Sequence, residues 1–463
     1  MSFKNFCILP FIHLATSTDG TCRLCCKVSK YDTINKPDGT PYNVNVDSID
    51  EIWNSDHYTQ IRSRVLADEQ LTECATCWRE EEIFSSDWSK DRKDELPSKR
   101  RKENQKWLHK PRTKLNEQWE DIIDNPRIRY FDIRLSNLCN LKCRMCWPHF
   151  SSQIVKEQQH FASKGMPTHY TRYVVAEWDT DSLWKGISDN IVHIEEISFV
   201  GGEPTLHDEI YDLCDRMIQL DIAKNIRLKV TTNLTNIQPR FLELFKHFKN
   251  IIINGSIDAV GPVNDYIRHP SDWETIDRNI DTLLGMRELA HLSLTLTPVI
   301  QIYNIFNIGD ITRWFVNKWI NLEYSFFETK KVFTMEMDLL YDPSYLSVNR
   351  LTPQGKEQWY YEQFMPICEW LDDIIQNVVQ QPQHINDNWY ILIELRKKVV
   401  NIAIYMQVLT YGPDGKLIPT YDSPDIEHNP KLAKKLADYT RQLDQHREQD
   451  ITDIVPNFYE IIQ

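Results

Sequence analysis

The chain of 463 residues is poor in basic charge, in glycine and in long apolar runs. Its 53 Lys and Arg face 67 Asp and Glu, and the formal net charge of −14 argues against a protein that holds nucleic acid mainly through phosphates. With 13 glycines and 41% hydrophobic residues it is not compositionally disordered, and its length predicts two or three domains. No apolar run reaches the roughly 18 residues that span a bilayer, and the first residues lack a secretory signal. We therefore expect a globular cytoplasmic protein without a membrane partner, for which nucleic acid is a disfavoured partner.

Cysteine, in contrast, is present in an unusual pattern. Nine of the eleven cysteines lie in the first 146 residues, in an N-terminal group and in the segment CNLKCRMC. A reducing compartment does not favour a disulfide framework, so the pattern predicts metal binding. The two remaining cysteines, Cys214 and Cys368, fall in helical patterns and are interpreted as buried small hydrophobes.

The chain is predicted to have four regions. Residues 1–85 hold the first cysteine group around a helical segment, VDSIDEIWNSDHYTQIRSRVLADE, with Asp and Ser start signals. Residues 86–124 form a charged linker, whose basic run SKRRKENQKWLHKPRTK predicts a solvated helix or linker, with an RNA-contacting arm as the alternative. Residues 125–345 alternate strand-like and helical patterns, and residues 346–463 are mainly helical.

Six short apolar runs in the third region predict strands: IRYFDIRL, IEEISFV, IRLKVTT, NIIINGSID, LSLTLTPVI and NLEYSFF. Amphipathic helical segments such as IYDLCDRMIQL and PRFLELFKHFK separate them. Six strand–helix repeats predict an α/β fold, a parallel sheet curled into a partial (β/α)6 barrel. In such a fold, ligands bind at the C-terminal ends of the strands.

A loop with three thiols follows the first predicted strand, with Cys139, Cys143 and Cys146 at CxxxCxxC spacing. Three thiolates leave one iron of a four-iron, four-sulfide (4Fe–4S) cubane open to another ligand. Structural zinc usually takes four protein ligands in two separated pairs. The segment CNLKCRMC resembles the signature of the radical S-adenosylmethionine (SAM) enzymes, and FVGGEP at residues 199–204 resembles the GGEP element of that superfamily.

The resemblance implies which residues bind SAM. The backbone of Gly201 and Gly202, with Glu203 nearby, would accept hydrogen bonds from the ammonium group of the cofactor. Ser256 and Arg268, in the segment GSIDAVGPVNDYIR, would hold its carboxylate, for which a guanidinium is well shaped. Without that resemblance, Arg268 would be interpreted as part of a surface salt bridge.

Further positions follow from the same resemblance. Asn233, at the end of the third predicted strand, belongs to the expected cofactor site. Thr297 and Gln301 would face the ribose or adenine, or pack as ordinary barrel residues. Met145 stands where the superfamily usually has an aromatic residue, and Trp147 is the alternative adenine contact.

The N-terminal segment CILPFIHLATSTDGTCRLCC resembles the opening of the SPASM and twitch auxiliary-cluster modules. Four thiolates from two separated segments suit a second 4Fe–4S cluster and also suit zinc, and the resemblance favours the cluster. Cys26 could replace Cys25 as a ligand, and Cys22 is a spare. Such modules more often follow the barrel than precede it. The implied ligands are Cys7, Cys25, Cys74 and Cys77.

The resemblance implies a radical SAM oxidoreductase that cleaves SAM reductively to methionine and a 5'-deoxyadenosyl radical, which then takes hydrogen from a substrate. Because members with auxiliary modules commonly act on peptides, we expect a peptide or protein side chain as substrate, and an electron donor such as a flavodoxin or ferredoxin. One alternative is modification of a nucleoside or small metabolite. The other is a non-catalytic iron–sulfur or zinc protein, which the coexistence of the thiol loop, GGEP, Ser256 and Arg268 disfavours.

Overall fold

The computed structural model describes residues 5–28, 32–85, 99–108, 121–169, 180–286, 291–323, 332–379, 390–411, 416–420 and 429–463. They group into two compact units. The first comprises Met1–Asn140, Trp147–Thr231 and Gln238–Ile251, and the second comprises Leu141–Cys146, Thr232–Ile237 and Ile252–Gln463. The four-part division expected from the sequence stays a prediction.

The first unit combines a mostly parallel sheet with helices. Its strands are β1 (His13–Thr16), β2 (Cys22–Arg23), β3 (Tyr130–Arg134), β4 (Glu196–Val200) and β5 (Arg227–Thr232). Its helices are α1 (Leu9–Ile12), α2 (Ile49–Trp53), α3 (Asp56–Leu66), α4 (Ala75–Ser85), α5 (Lys99–Leu108), α6 (Ser152–Ser163), α7 (Thr180–Asn190), α8 (Asp208–Gln219) and α9 (Pro239–Leu244).

The strand order in this unit is β2-β1-β3-β4-β5. Strand β3 pairs in parallel with β4, and β4 with β5, as the alternating strand and helix pattern predicts. The N-terminal strand β1 also pairs in parallel with β3, with Ala15 opposite Asp132. This pairing attaches the N-terminal segment to the sheet, and all residues of β1 and β3 are buried.

The predicted helical segment near residue 50 forms two helices, because each begins at its own serine cap. The Ser48 hydroxyl accepts from the Glu51 amide and the Glu51 side chain binds back, forming a capping box at α2. The Ser55 side chain accepts from the Tyr58 amide at the start of α3.

The strands of the second unit are most of β6 (Asn250–Gly255), together with β7 (Leu292–Leu296), β8 (Val299–Ile300), β9 (Val332–Met335) and β10 (Asp338–Leu339). Here β6 neighbours β7, β7 pairs in parallel with β9, and β8 pairs with β10. The helices among these strands are α10 (Pro262–Ile267), α11 (Trp273–Gly285) and α12 (Ile308–Glu323). The α/β class expected from the sequence is confirmed.

The position expected for the sixth strand, NLEYSFF, is wrong in its first part. Residues 321–323 end α12, and 324–327 lie outside the described residues. The apolar residues here continue a helical pattern whose members Ile311, Phe315 and Trp319 are buried. The strand beside β7 is instead β9.

The C-terminal region is mainly helical, as expected. It contains α13 (Pro353–Trp359), α14 (Met365–Val379), α15 (Tyr390–Tyr405), α16 (Pro430–Arg447) and α17 (Phe458–Ile462), with a short hairpin of β11 (Leu409–Tyr411) and β12 (Leu417–Pro419). A π-helical turn at Tyr360–Phe364 joins α13 to α14 just before Pro366, which has no amide hydrogen to donate. Within the described ranges, no helix is both long and apolar enough to cross a membrane.

Candidate iron–sulfur and cofactor sites

Four thiols of the first unit line one cavity. Cys7 precedes α1, Cys25 follows β2, Cys74 ends the short turn before α4, and Cys77 lies in the first turn of α4. Within the described ranges, no three Cys, His, Asp or Glu side chains converge as they would on a single bound ion. The four thiols are therefore grouped by the cavity that they share, and they are the four that the sequence predicts as ligands.

Burial and mutual proximity disfavour ionisation of the thiols in this cavity. Burial raises the pKa of the Cys7 thiol, and the neighbouring Cys74 and Cys25 raise it further. Burial, with Cys77 and Glu73 nearby, raises the pKa of Cys74 to about 12. Several thiolates cannot share such a site without a compensating positive charge, which a metal cluster supplies. The donor set thus fits a four-thiolate metal centre.

The two other N-terminal cysteines lie outside this lining. Cys26 is exposed, whereas the adjacent Cys25 is buried and lines the cavity. Cys22 is buried in β2, with its thiol 4.0 Å from the Gly20 carbonyl oxygen. The structure therefore places Cys25 rather than Cys26 among the four thiols.

Two residues of helix α5, Asn104 and Arg100, support the segment around Cys7, and they were not identified from the sequence. The Asn104 side chain forms hydrogen bonds with the backbone on both sides of Cys7. Its Nδ2 donates to the Phe6 carbonyl at 2.8 Å, and its Oδ1 accepts from the Ile8 backbone amide at 2.8 Å. Arg100 lines the cavity, donates to the same Phe6 carbonyl at 2.9 Å and forms an ion pair with Glu81 at 2.5 Å. The charge pattern could not distinguish these residues from solvated ones.

The expectation of a solvated helix or linker is therefore wrong for part of α5. Arg100, Glu103 and Trp107 are buried. Lys106 lies 2.6 Å from the buried Glu196 carboxylate of β4. The first residue of the run, Ser98, and its last residues, 109–114, lie outside the described residues.

The GGEP element packs against the residues that lead into Cys139. The Gly202 amide donates to the Ser136 carbonyl at 3.1 Å, and the Glu203 amide donates to the Leu138 carbonyl at 2.7 Å. A Cβ on Gly202 would lie 2.0 Å from the Leu138 oxygen, so a glycine is required there. The Glu203 side chain is buried, and its Oε1 accepts from the Thr205 amide at 3.1 Å. One carboxylate oxygen of Glu203 therefore caps the following turn.

In the second unit, the backbone around Cys143 and Cys146 is held at the end of α10. The Lys142 amide donates to the His269 carbonyl at 2.7 Å, and the Arg144 amide donates to the Ile267 carbonyl at 2.8 Å. The Cys146 amide donates to the Cys143 carbonyl at 3.0 Å. The first two bonds attach the loop backbone to the chain at the end of α10, and the third closes a turn between Cys143 and Cys146.

Arg268 is buried, at 6% exposure, which excludes the surface salt bridge considered from the sequence. Its Nε lies 2.8 Å from Oδ2 of Asp258, and Asp258 Oδ1 accepts from the Val299 amide at 2.9 Å. Burial raises the pKa of the Asp258 carboxyl, while the Arg268 charge opposes that rise. Burial also raises the pKa of the Cys143 thiol, which Arg268 opposes, so the guanidinium acts on a predicted cluster ligand. Sequence reasoning missed Asp258, which orients Arg268.

The other expected cofactor residues of this unit are placed as follows. The Ser256 amide donates to the Thr232 carbonyl at 2.8 Å. The Asn233 Oδ1 accepts from the amide and the hydroxyl of Thr235, at 3.0 and 2.6 Å. Thr297 donates its hydroxyl to the Gly255 carbonyl at 3.3 Å. Gln301 is buried, and its Oε1 has no hydrogen-bond partner among the described residues. A buried acceptor without a partner fits a ligand group that donates a hydrogen bond.

Two family profiles match the chain. The Radical SAM superfamily profile matches residues 133–298, and the SPASM profile, described as an iron–sulfur cluster-binding domain, matches residues 7–78. A curated relative, the GTP 3',8-cyclase of Alkaliphilus oremlandii (strain OhILAs), is 27% identical over 205 residues, which are 43% of this chain and 56% of that protein. The chain thus spans about half the length of the curated relative that it matches.

Solved structures similar to the chain include two that contain a bound ligand or peptide. Native anSMEcpe with bound AdoMet has a TM-score of 0.36 at 16% identity, over 52% of this chain and 60% of that one. SuiB of Streptococcus suis bound to precursor peptide SuiA has a TM-score of 0.28 at 16% identity, over 70% of this chain and 72% of that one.

Proposed function

Because this chain belongs to the radical SAM superfamily, in the branch that carries a SPASM domain, we propose that it oxidises a peptide or protein side chain. The observation that carries this proposal is the cavity shared by Cys7, Cys25, Cys74 and Cys77. A four-thiolate centre in addition to the three-thiol loop provides a second one-electron redox site. Oxidation of a side chain by two electrons makes use of such a site.

The loop cysteines would hold the catalytic cluster and leave one iron open for SAM. When bound, the cluster and SAM supply a carbon radical that removes a hydrogen atom from the substrate. Arg268 is suited to the SAM carboxylate because Asp258 orients its buried guanidinium. The unpartnered Gln301 Oε1 is suited to an amino group of the adenine.

The four cavity cysteines would hold the auxiliary cluster. Asn104 and Arg100 fix the backbone on either side of Cys7, so this ligand is oriented before the metal binds. A flavodoxin or ferredoxin would supply electrons to the protein. Such a donor is proposed because the chain itself provides thiol sites for one-electron carriers rather than a source of electrons.

Deuterium transfer tests the substrate class. Anaerobically reconstituted protein is reduced with dithionite in the presence of SAM and a perdeuterated peptide digest. The deuterium content of the 5'-deoxyadenosine is then measured by mass spectrometry. We expect deuterium in the deoxyadenosine from the peptide digest. A parallel reaction contains perdeuterated GTP, because the curated relative is a GTP 3',8-cyclase. Deuterium from GTP and none from the peptides would contradict the peptide assignment.

A further inference from the structure

Arg144 lies inside the cysteine loop, between Cys143 and Cys146, and its side chain has 0% exposure. A guanidinium stays charged at any pH the protein meets, so its burial requires compensation from the surroundings. The contacts of Arg144 therefore indicate what the buried charge does.

Hydrogen bonds, an ion pair and a ring contact hold Arg144 within the second unit. Its Nη2 lies 2.5 Å from Asp444 Oδ1 and 2.9 Å from Gln449 Oε1, and its Nε donates to the Tyr266 carbonyl at 3.0 Å. The guanidinium stacks on the Tyr266 ring at 3.7 Å. The Arg144 carbonyl accepts from the Tyr439 hydroxyl at 2.5 Å. Side chain and backbone of Arg144 are thus both fixed.

Asp444 is the centre of this arrangement. Its Oδ1 also accepts from the Tyr266 hydroxyl at 2.9 Å, and its Oδ2 accepts from the Ile451 amide at 3.0 Å. The carboxylate therefore joins the cysteine loop, α10 and the chain that follows α16. Both Asp444 and Tyr439 belong to α16, which lies beyond residues 133–298 of the matched superfamily profile.

We propose that α16 is part of the catalytic cluster site, with Asp444 as a positioning residue that fixes Arg144 within the loop segment between Cys143 and Cys146 and cancels its charge. This inference rests on the proposed function. An uncompensated positive charge next to a cluster stabilises the reduced form and raises the reduction potential. Asp444 keeps the potential low by neutralising Arg144, and Tyr439 keeps the loop backbone in the geometry that binds SAM.

The test measures the reduction potential of the cluster whose electron paramagnetic resonance (EPR) signal changes when SAM is added. It uses the full reconstituted chain as parent, Asp444→Asn, and the double variant Arg144→Met with Asp444→Asn. Asp438→Asn is the matched control, because Asp438 lies on the same helix and pairs at the surface with Lys434.

We expect Asp444→Asn to move the midpoint potential upward by at least about 59 mV, which is a tenfold change in a one-electron equilibrium. The double variant should return toward the parent, because it removes the uncompensated charge, and Asp438→Asn should not move it. A midpoint in Asp444→Asn equal to that in Asp438→Asn, with only the melting temperature lowered, would reduce Asp444 to a structural role and overturn the proposal.

If Asp444→Asn does not fold, Tyr439→Phe tests whether α16 contributes to the cluster site. Losing one hydrogen bond to the loop should weaken SAM binding about two- to tenfold at unchanged iron content. SAM affinity equal to the parent would then overturn the proposal. A parent protein without any SAM-responsive EPR signal would instead contradict the proposed function itself, so the two failures are distinguishable.

Discussion

Replacement of Gly202 by alanine should disrupt the entry to the cysteine loop. A Cβ at this position would lie 2.0 Å from the Leu138 oxygen and 2.6 Å from the Leu138 carbonyl carbon, whereas real Cβ atoms essentially never approach closer than 3.0 Å. The Leu138 carbonyl must therefore move by the difference between 3.0 and 2.0 Å, that is by 1.0 Å or more. This carbonyl immediately precedes Cys139, so the first predicted ligand moves with it.

The expected cost combines two terms. Overpacking costs about 1–3 kcal/mol, and loss of the hydrogen bond from the Glu203 amide to the Leu138 carbonyl adds about 1 kcal/mol. Gly202→Ala should thus lose about 2–4 kcal/mol of unfolding free energy in denaturant titrations. It should also lose the SAM-responsive EPR signal.

Gly285→Ala is the matched control, because a Cβ there meets nothing within 4 Å. We expect it to keep both stability and signal. If Gly202→Ala shared the denaturation midpoint and the EPR signal of Gly285→Ala, the steric argument would be refuted.

Three further predictions concern the ligands and their supports. The parent should contain about 8 irons after anaerobic reconstitution and about 4 after joint replacement of the loop cysteines by alanine, as iron analysis can check; about 4 irons and one zinc in the parent would contradict the auxiliary cluster. Arg268→Lys should weaken SAM binding by about 1–3 kcal/mol in spectral titrations, whereas Arg240→Lys, at an exposed ion pair, should not, and equal affinities would remove Arg268 from the site. Asn104→Ala should lower the iron content toward about 4 while keeping the SAM-responsive signal, because it releases the backbone beside Cys7; unchanged iron would separate α5 from the auxiliary site.

The sequence predicted those strands correctly whose apolar pattern is local. Strands β3 to β7 follow apolar runs between helical segments, and each appears within its predicted run. Strand β1 was missed because four residues carry too little pattern, and its parallel partner Asp132 lies far along the chain from Ala15. The choice between Cys25 and Cys26 needed the backbone, since adjacent residues share one local sequence.

Contacts between distant residues account for most of what sequence reasoning missed. Arg144 and Asp444 are 300 positions apart, and no motif connects them. Arg268 was identified by resemblance, but the carboxylate of Asp258 that orients it was not, because an aspartate in a loop has no distinctive signal. Asn104 has no distinctive sequence signal, because its role depends on hydrogen bonds to the backbone of Phe6 and Ile8, 98 and 96 positions earlier in the chain.

Release of 5'-deoxyadenosine tests the central claim most directly. The reconstituted parent and the variant lacking the thiols of Cys139, Cys143 and Cys146 are reduced anaerobically with SAM, and the product is quantified by chromatography with mass detection. We predict release by the parent and none by the variant, while the variant keeps its N-terminal cluster. A parent with full iron content that releases no deoxyadenosine, or a variant that releases as much as the parent, would contradict the account.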